Sequence, residues 1–259
     1  MSFVSVVERD GVAVVRLNRP DVRNAFNPQM IEEITEIFSQ LGKRRDLRLI
    51  AFSGEGKAFC AGADLGWMKM MVNYSLEQNR EDSLRLFAMF DSIAQCRLPV
   101  LGLVHGSAFG GALGLMACCD FVLAEDDTQF CFSEVKIGIA PAVISSFVLK
   151  KANAGLIRPL MLSGTIFKVE QAMAAGLVHE RVPQGEGPKR FDEIIQSWKE
   201  AGPEAIRETK MLLNEIPHLS WEQQKERTTK LIAERRVSTE GQEGLKSFLE
   251  KRRPSWRDQ

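Results

Sequence analysis

Neither sign of charge is in excess: 34 Lys and Arg balance 34 Asp and Glu in 259 residues. A balanced chain has no overall field to draw it to nucleic acid or to a membrane surface, so neither partner is expected. No apolar run reaches the roughly 18–20 residues of a bilayer-spanning helix, and the opening MSFVSVVERDG reads as a charged strand, not a signal peptide. The five cysteines (Cys60, Cys96, Cys118, Cys119, Cys131) are odd in number and include no C-x-x-C pair, so neither a disulfide framework nor a zinc site is expected. A reducing, cytoplasmic setting follows as the simple expectation. His105, His179 and His218 are scattered without ligand spacing, so no metal is expected either. Two glycine signatures are also missing. Gly106 to Gly111 reads G-S-A-F-G-G, which fails the G-x-G-x-x-G of a dinucleotide site, and Ser107 follows its glycine directly, which fails the G-x-S-x-G of a nucleophile elbow.

What the chain does have is concentrated in residues 101–141. An apolar strand, Leu101 to Val104, turns through Gly106, Gly110 and Gly111 into a small-residue helix, Ala112 to Cys119. A second apolar strand (Phe121 to Ala124) follows, then Phe130 to Phe132, and then a lone carboxylate, Glu134. Gly110 and Gly111 lack a Cβ, so a bound group can come close to the backbone. They also stand where a helix begins, with unpaired N–H groups and the positive end of its dipole. Such a turn suits an oxygen carrying negative charge. It also suits mere close packing of a helix on a strand, and the stretch alone leaves both readings open.

In chain order, two strands, Phe3–Glu8 and Val12–Leu17, hinge at Asp10-Gly11. Pro28 stands at a first helical position, and Met30, Ile34, Ile37, Phe38 and Leu41 form a helical stripe. Leu47–Ser53 reads as a buried strand. It leads to KAFCAGADLGWM, a second strand-to-loop transition rich in small residues, with Asp64 as helix cap before Leu65. Helices are expected over about 75–96, 143–153, 155–163 and 169–175, with a glycine cap at Gly176 and a strand over 178–182. GEGP at 185–188 is the linker candidate; beyond it the chain reads as helical and heavily charged. Strands alternating with helices predict α/β architecture, divided as 1–188 (core) and 189–259 (C-terminal helical region).

Each glycine-rich transition could supply one backbone N–H, and two donors converging on one oxygen stabilise a thioester enolate. KAFCAGADL, HGSAFGGALGL followed by CD, and FSEVKIGIAP, in that order, resemble the crotonase (enoyl-CoA hydratase/isomerase) superfamily. RPDVRNAFN, EQAMAAGLV and EGLKSFLEKRRPSW extend the resemblance over nearly the whole chain. It implies a spiral of ββα turns and a C-terminal helical region packing against neighbouring subunits, in a homo-oligomer built of trimers or dimers of trimers. It also implies an acyl-CoA substrate bound along 23–25 and 61–65, including Arg23, Ala25, Ala61, Asp64 and Leu65. The thioester oxygen would lie between the N–H groups of Ala63 and Gly111. Glu134 would be the acid–base, and Gly110, Gly114, Pro141 and Trp67 would border the substrate. No cofactor is expected, coenzyme A being part of the substrate.

One departure from the family pattern changes the chemistry. Hydratases of the family carry two glutamates, and the first falls here at Gly114. A water held between two carboxylates is therefore not available at the usual place. With no side chain to do chemistry there, Gly114 is expected to tolerate alanine. GADLGWMKMM, AFGGALGLMACCD and SEVKIGIAPAVIS resemble the bacterial methylglutaconyl-CoA and isohexenylglutaconyl-CoA hydratase branch, which serves leucine and acyclic-terpene breakdown. The expected activity is accordingly hydration of 3-methylglutaconyl-CoA or a related branched enoyl-CoA. The alternatives are a single-glutamate enoyl-CoA isomerase and a non-enzymatic acyl-CoA-binding member of the fold.

Overall fold

A hairpin opens the chain: β1 (Val4–Arg9) and β2 (Val12–Leu17) pair antiparallel, Val4 opposite Leu17 and Arg9 opposite Val12. The computed structural model describes residues 2–257. Asp10 and Gly11 turn the hairpin at φ 48° and 74°, a backbone that Gly and Asp adopt at least cost. Next comes α1 (Pro28–Leu41), capped by the Asn27 side chain, which accepts the Met30 N–H at 3.0 Å.

Three successive turns then wind in the same sense. The first runs from β3 (Leu49–Gly54) to α2 (Leu65–Met71) and α3 (Leu76–Ala94). Its successor runs from β4 (Val100–Val104) through β5 (Ser107–Phe109) to α4 (Gly111–Cys118). The third runs from β6 (Phe121–Glu125) through β7 (Gln129–Cys131) to α5 (Ala142–Lys151) and α6 (Ala154–Ser163). Then come β8 (Phe167–Lys168), α7 (Val169–Ala174) and β9 (Glu180–Val182).

The long strands form one sheet in the order β1-β2-β3-β4-β6-β9, parallel throughout except at the hairpin, and β5-β7-β8 form a second. In the second sheet Cys60 bridges to Ala108, Ala108 stands beside Phe130, and Phe130 faces Phe167. Each turn is thus stacked on the one before it. This is the spiral of ββα turns expected from the sequence, a mixed α/β crotonase fold.

Both faces of the inner strands β2, β3, β4 and β6 are buried, as parallel strands require. Ala13, Val15, Ile50 and Phe52 face one core with residues of α1, α3 and α4. Their alternating neighbours Val12, Val14, Leu49 and Ala51 face Phe191, Ile194 and Ile195 of α8 (Gly187–Lys199). The turn at 185–188 leads straight into α8, with Pro188 in its first turn.

Beyond α8, α9 (Pro203–Glu215), α10 (Trp221–Val237) and α11 (Thr239–Leu249) form the C-terminal helices. They dock largely by side chains donating to main-chain carbonyls of the core. Arg207 reaches Arg45 and Leu47, Lys210 reaches Leu98, and Asn214 reaches Ala94. In the opposite direction Arg48 donates to Lys199, Ala201 and Trp256.

Several elements differ from the sequence expectation: β3 begins at Leu49 and not at Leu47, and β8 falls where no strand is expected. β5 lies inside what reads as an irregular glycine loop, because its main chain finds partners in β7 and at Cys60. β9 begins at Glu180 and not at 178. The Val178 N–H is taken by Ala172 of α7, and His179 pairs with Val122 through both its backbone and its ring.

Candidate active site

The two glycine-rich transitions lie side by side. Cys60 N–H donates to Ser107 O (3.1 Å), and Phe109 N–H donates back to Cys60 O (3.1 Å). A Cβ on Gly62 would stand 2.7 Å from Phe109 O and 3.9 Å from Gly110 Cα, so the next residues along, Ala63 and Gly111, are brought to one place. Phe26 brackets Ala63: its N–H donates to Gly62 O (2.9 Å), and its carbonyl accepts the Asp64 N–H (3.0 Å). The Ala63 N–H itself has no hydrogen-bond partner among the described residues. Gly111 is the first residue of α4, where an N–H has no intrahelical acceptor. Gly110 adopts φ 54° and supplies no capping side chain. Two main-chain donors without partners among the described residues and a helix N-terminus therefore lie in adjoining loops, an arrangement able to stabilise an oxyanion.

Glu134 is the second residue of the short 3₁₀ segment Ser133–Ile137 that follows β7. Its carboxyl lies against Gly110, with Oε1 3.4 Å from where a Cβ on that glycine would be. Oε2 is buried and has no hydrogen-bond partner. Burial raises the Glu134 pKa above its ordinary value, so the carboxyl holds its proton to higher pH than a solvated one. A buried, unsatisfied carboxyl is costly and is retained in proteins chiefly where it acts.

Gly114 is placed differently from the expectation that alanine would be tolerated. A Cβ there would stand 2.7 Å from Ile144 Cγ2 and 2.8 Å from two carbons of the Phe90 ring. Both neighbours are buried in the main core. The side chains of α3 and α5 fill the space above Gly114, which leaves neither a void nor a polar group to hold water there.

The remaining expected site residues group as follows. Arg23 O accepts the Ala61 N–H at 2.9 Å, joining the two segments expected to hold coenzyme A. Ala25 is buried, Arg23 is exposed at φ 52°, and Leu65 is exposed. Asp64 caps α2, accepting the Gly66 and Trp67 N–H groups at 2.7 and 3.2 Å. The Trp67 ring packs against Phe26 at 6.1 Å between centroids, and its indole N–H is buried without a partner. Pro141 precedes α5, and its carbonyl accepts the Ser145 hydroxyl at 2.6 Å. His105 bonds the Gly56 carbonyl through Nε2 (3.0 Å). Arg80 and Arg85 pair with Glu77 and Asp82 of their own helix.

Four residues escaped the sequence reading. Arg19 pairs with Asp64 at 3.0 Å. Asn24 is fully buried, accepting the Arg19 N–H and donating to Glu55 O and Ala58 O, each at 2.8 Å. The Phe26 ring lies under Gly111, 2.4 Å from a Cβ placed there. Lys151 donates to Met116 O and Cys119 O, holding a cation at the C-terminal end of α4; burial lowers its pKa. Only Asn24 left a signal, since asparagine in a turn readily takes the positive φ (55°) seen here.

The spiral winding and the sheet topology define a fold of crotonase type. The sequence pattern of the enoyl-CoA hydratase/isomerase family matches residues 8–259, and the chain belongs to that family. A Thermus thermophilus relative named for enoyl-CoA hydratase is 30% identical over 248 residues, which is 96% of this chain and 98% of the relative. A Streptococcus mutans relative, trans-2-decenoyl acyl-carrier-protein isomerase, is 27% identical over 253 residues, covering 95% of each. The crystal structure of an enoyl-CoA hydratase from Shewanella pealeana superposes with a TM-score of 0.92 at 33% identity, covering 98% of this chain and 96% of that one.

Proposed function

We propose that the chain is an acyl-CoA hydro-lyase that hydrates 3-methylglutaconyl-CoA, or a related branched enoyl-CoA, to the 3-hydroxyacyl-CoA. The observation that carries this reading is Glu134: one buried, unpartnered carboxyl oxygen beside two free main-chain donors. The Ala63 and Gly111 N–H groups bind the thioester oxygen and draw charge onto it as the enolate forms. Glu134 takes a proton from water as the hydroxyl adds to the β-carbon, and then returns a proton to the α-carbon on the same face. Its raised pKa suits the second step. A distal substrate carboxylate would help hold the water in place of the missing second glutamate. Coenzyme A is part of the substrate, and no further cofactor is needed for these steps.

A second reading is enoyl-CoA isomerase, and one observation favours it. The Phe90 ring and Ile144 occupy the space beside Gly114, so the site is apolar where a hydratase of the family holds water. An isomerase only carries a proton between carbons, which one carboxyl can do. One experiment separates the two: the purified protein is offered 3-methylglutaconyl-CoA, crotonyl-CoA and a 3-enoyl-CoA. Hydration of the first at the highest kcat/KM supports the hydratase; conversion of the 3-enoyl-CoA alone overturns it in favour of the isomerase.

Leucine breakdown in the cytoplasm and a trimer or dimer of trimers complete the proposal. Supporting the oligomer, Leu213, Trp221, Ile232, Val237, Phe248 and Leu249 of the C-terminal helices are all exposed in the single chain, more apolar surface than a monomer usually leaves to water. Light scattering that gives a monomer mass at micromolar concentration would overturn the oligomer.

A further inference from the structure

Main-chain donors cannot be tuned by their own side chains, so something else must fix their direction. At Gly111 the helix does this. At Ala63, in a loop, the candidate is an ion pair between residues 45 positions apart. Arg19 Nη2 lies 3.0 Å from Asp64 Oδ2, and both side chains are 16% exposed. The same guanidinium donates through Nη1 to Ala25 O and stands over the Phe3 ring, 4.8 Å from its centroid. Its own backbone N–H is held by Asn24 at 2.8 Å. Asp64 divides its oxygens: Oδ2 faces Arg19, and Oδ1 caps α2. Burial alone would raise the Asp64 pKa; hydrogen bonds from Trp67, Arg19 and Gly66 outweigh it and leave the pKa lowered.

We propose that Arg19 is a positioning residue for catalysis: its pair with Asp64 locks the 23–26 turn to the 61–64 loop and so aims the Ala63 N–H at the thioester oxygen. This rests on the reading of Ala63 and Gly111 as the oxyanion donors. The geometry connects the two. Asp64 is the residue after Ala63, the Ala63 N–H is flanked by the two Phe26 backbone bonds, and Arg19 ties the side chain of Asp64 to the carbonyl of Ala25, the residue before Phe26. Without the pair, the loop keeps its backbone bonds but loses the tie that sets its tilt. A displacement near 1 Å at a reacting group costs about 10²-fold in rate, so a donor loosened by less is expected to lower kcat by about ten-fold to a hundred-fold.

Two variants isolate the pair. Asp64→Asn removes the charge but keeps a good helix cap, and Arg19→Met keeps an apolar stem over Phe3. Each is measured for kcat, KM and thermal midpoint on the full-length protein. The probe is butyryl-CoA carrying ¹³C at the thioester carbonyl, whose infrared stretch reports polarisation directly in the bound state. Expected are a carbonyl band shifted down on the wild type, a smaller shift on both variants, lower kcat with little change in KM, and Arg19→Lys recovering part of the shift. A variant band as far shifted as the wild-type one overturns the positioning role and leaves the oxyanion reading standing. A wild-type band no different from butyryl-CoA free in water overturns the oxyanion reading, and this inference with it.

Discussion

The two donor loops resemble each other in sequence, each a small-residue stretch leading from a strand to a helix, yet they are built on different principles. The loop carrying Gly111 is fixed by volume: the Phe26 ring lies under Gly111, and Phe90 and Ile144 lie over Gly114. Gly106 is wedged so tightly that a Cβ would overlap the Lys57 carbonyl at 2.1 Å. The loop carrying Ala63 is fixed by polar contacts, namely Arg19 on Asp64, the Phe26 backbone, and Asn24 on Glu55 and Ala58. The first should therefore respond chiefly to size, and the second to charge as well as to size, since a Cβ on Gly62 would stand 2.7 Å from Phe109 O. The two loops are held differently but share Phe26, whose ring lies under Gly111 and whose backbone brackets Ala63.

Substitutions can break or sharpen that contrast. The largest effect belongs to neither loop. Glu134→Gln should lose roughly 10²–10⁴-fold in turnover while still binding acyl-CoA, because a positioned acid–base of this kind contributes that much. Near-normal turnover would reassign the proton transfer and leave the loops framing something else. Next comes Gly111→Val, a pure size change in the volume-fixed loop. Its Cβ would collide with Phe26, and the lost donor geometry should cost about 2.7–4 kcal/mol in the barrier. A folded, active valine variant would sink the assignment of Gly111 as donor.

Gly114→Ala is a smaller test of the same loop. Alanine gains up to about 1 kcal/mol of helix propensity. Against this stands overpacking on two buried side chains, typically about 1–3 kcal/mol, and the overlap at 2.7–2.8 Å makes packing win. The expected outcome is a lowered thermal midpoint, read by calorimetry; an unchanged or raised midpoint would show that Phe90 and Ile144 can yield.

The subtlest effect is on stability against pH. With its folded pKa raised above the ordinary 4.5, Glu134 keeps its proton in the folded chain after the unfolded chain has lost it. Its contribution to stability therefore falls as pH rises from 4.5 to the folded value, and is level above that. Glutamine has no such loss. The stability of Glu134→Gln relative to the wild type should thus grow across that window and vanish below it, in urea titrations at a series of pH values. A difference that is flat with pH would place the wild-type carboxyl in water.

The contrast between the loops also explains what could be read in advance. Glycines at 106, 110 and 111, the helix start after them and the carboxyl after β7 are local features, so the α/β alternation and a turn suited to an anion were legible in the chain, while the spiral and the roles expected of Ala63, Gly111 and Glu134 came from the family resemblance. Main-chain donors are legible in this way because a strand-to-helix turn makes them whatever its side chains are. Fixing the donors is not local. Arg19 meets Asp64, Phe26 meets Gly111, and Phe90 meets Gly114 only after the chain has wound a full turn, and no spacing announces such a meeting. The tolerance expected of Gly114 overlooked packing for the same reason: an absent side chain looks like empty space in a sequence, whereas Phe90 of α3 and Ile144 of α5 stand close beside it.

The docking of the C-terminal helices carries a consequence for descent. Arg207, Lys210 and Asn214 hold the core by the carbonyls of Arg45, Leu47, Leu98 and Ala94, and every residue type possesses that atom. These receiving positions can therefore drift without a matching change in the helices, whereas Asp120, paired with Lys210 at 2.7 Å, and Arg97, paired with Glu208, cannot. The selective burden falls instead on the three donors and on those two ion pairs. Lineages that diverged in core sequence could have exchanged these helices as a unit and found the same handholds waiting.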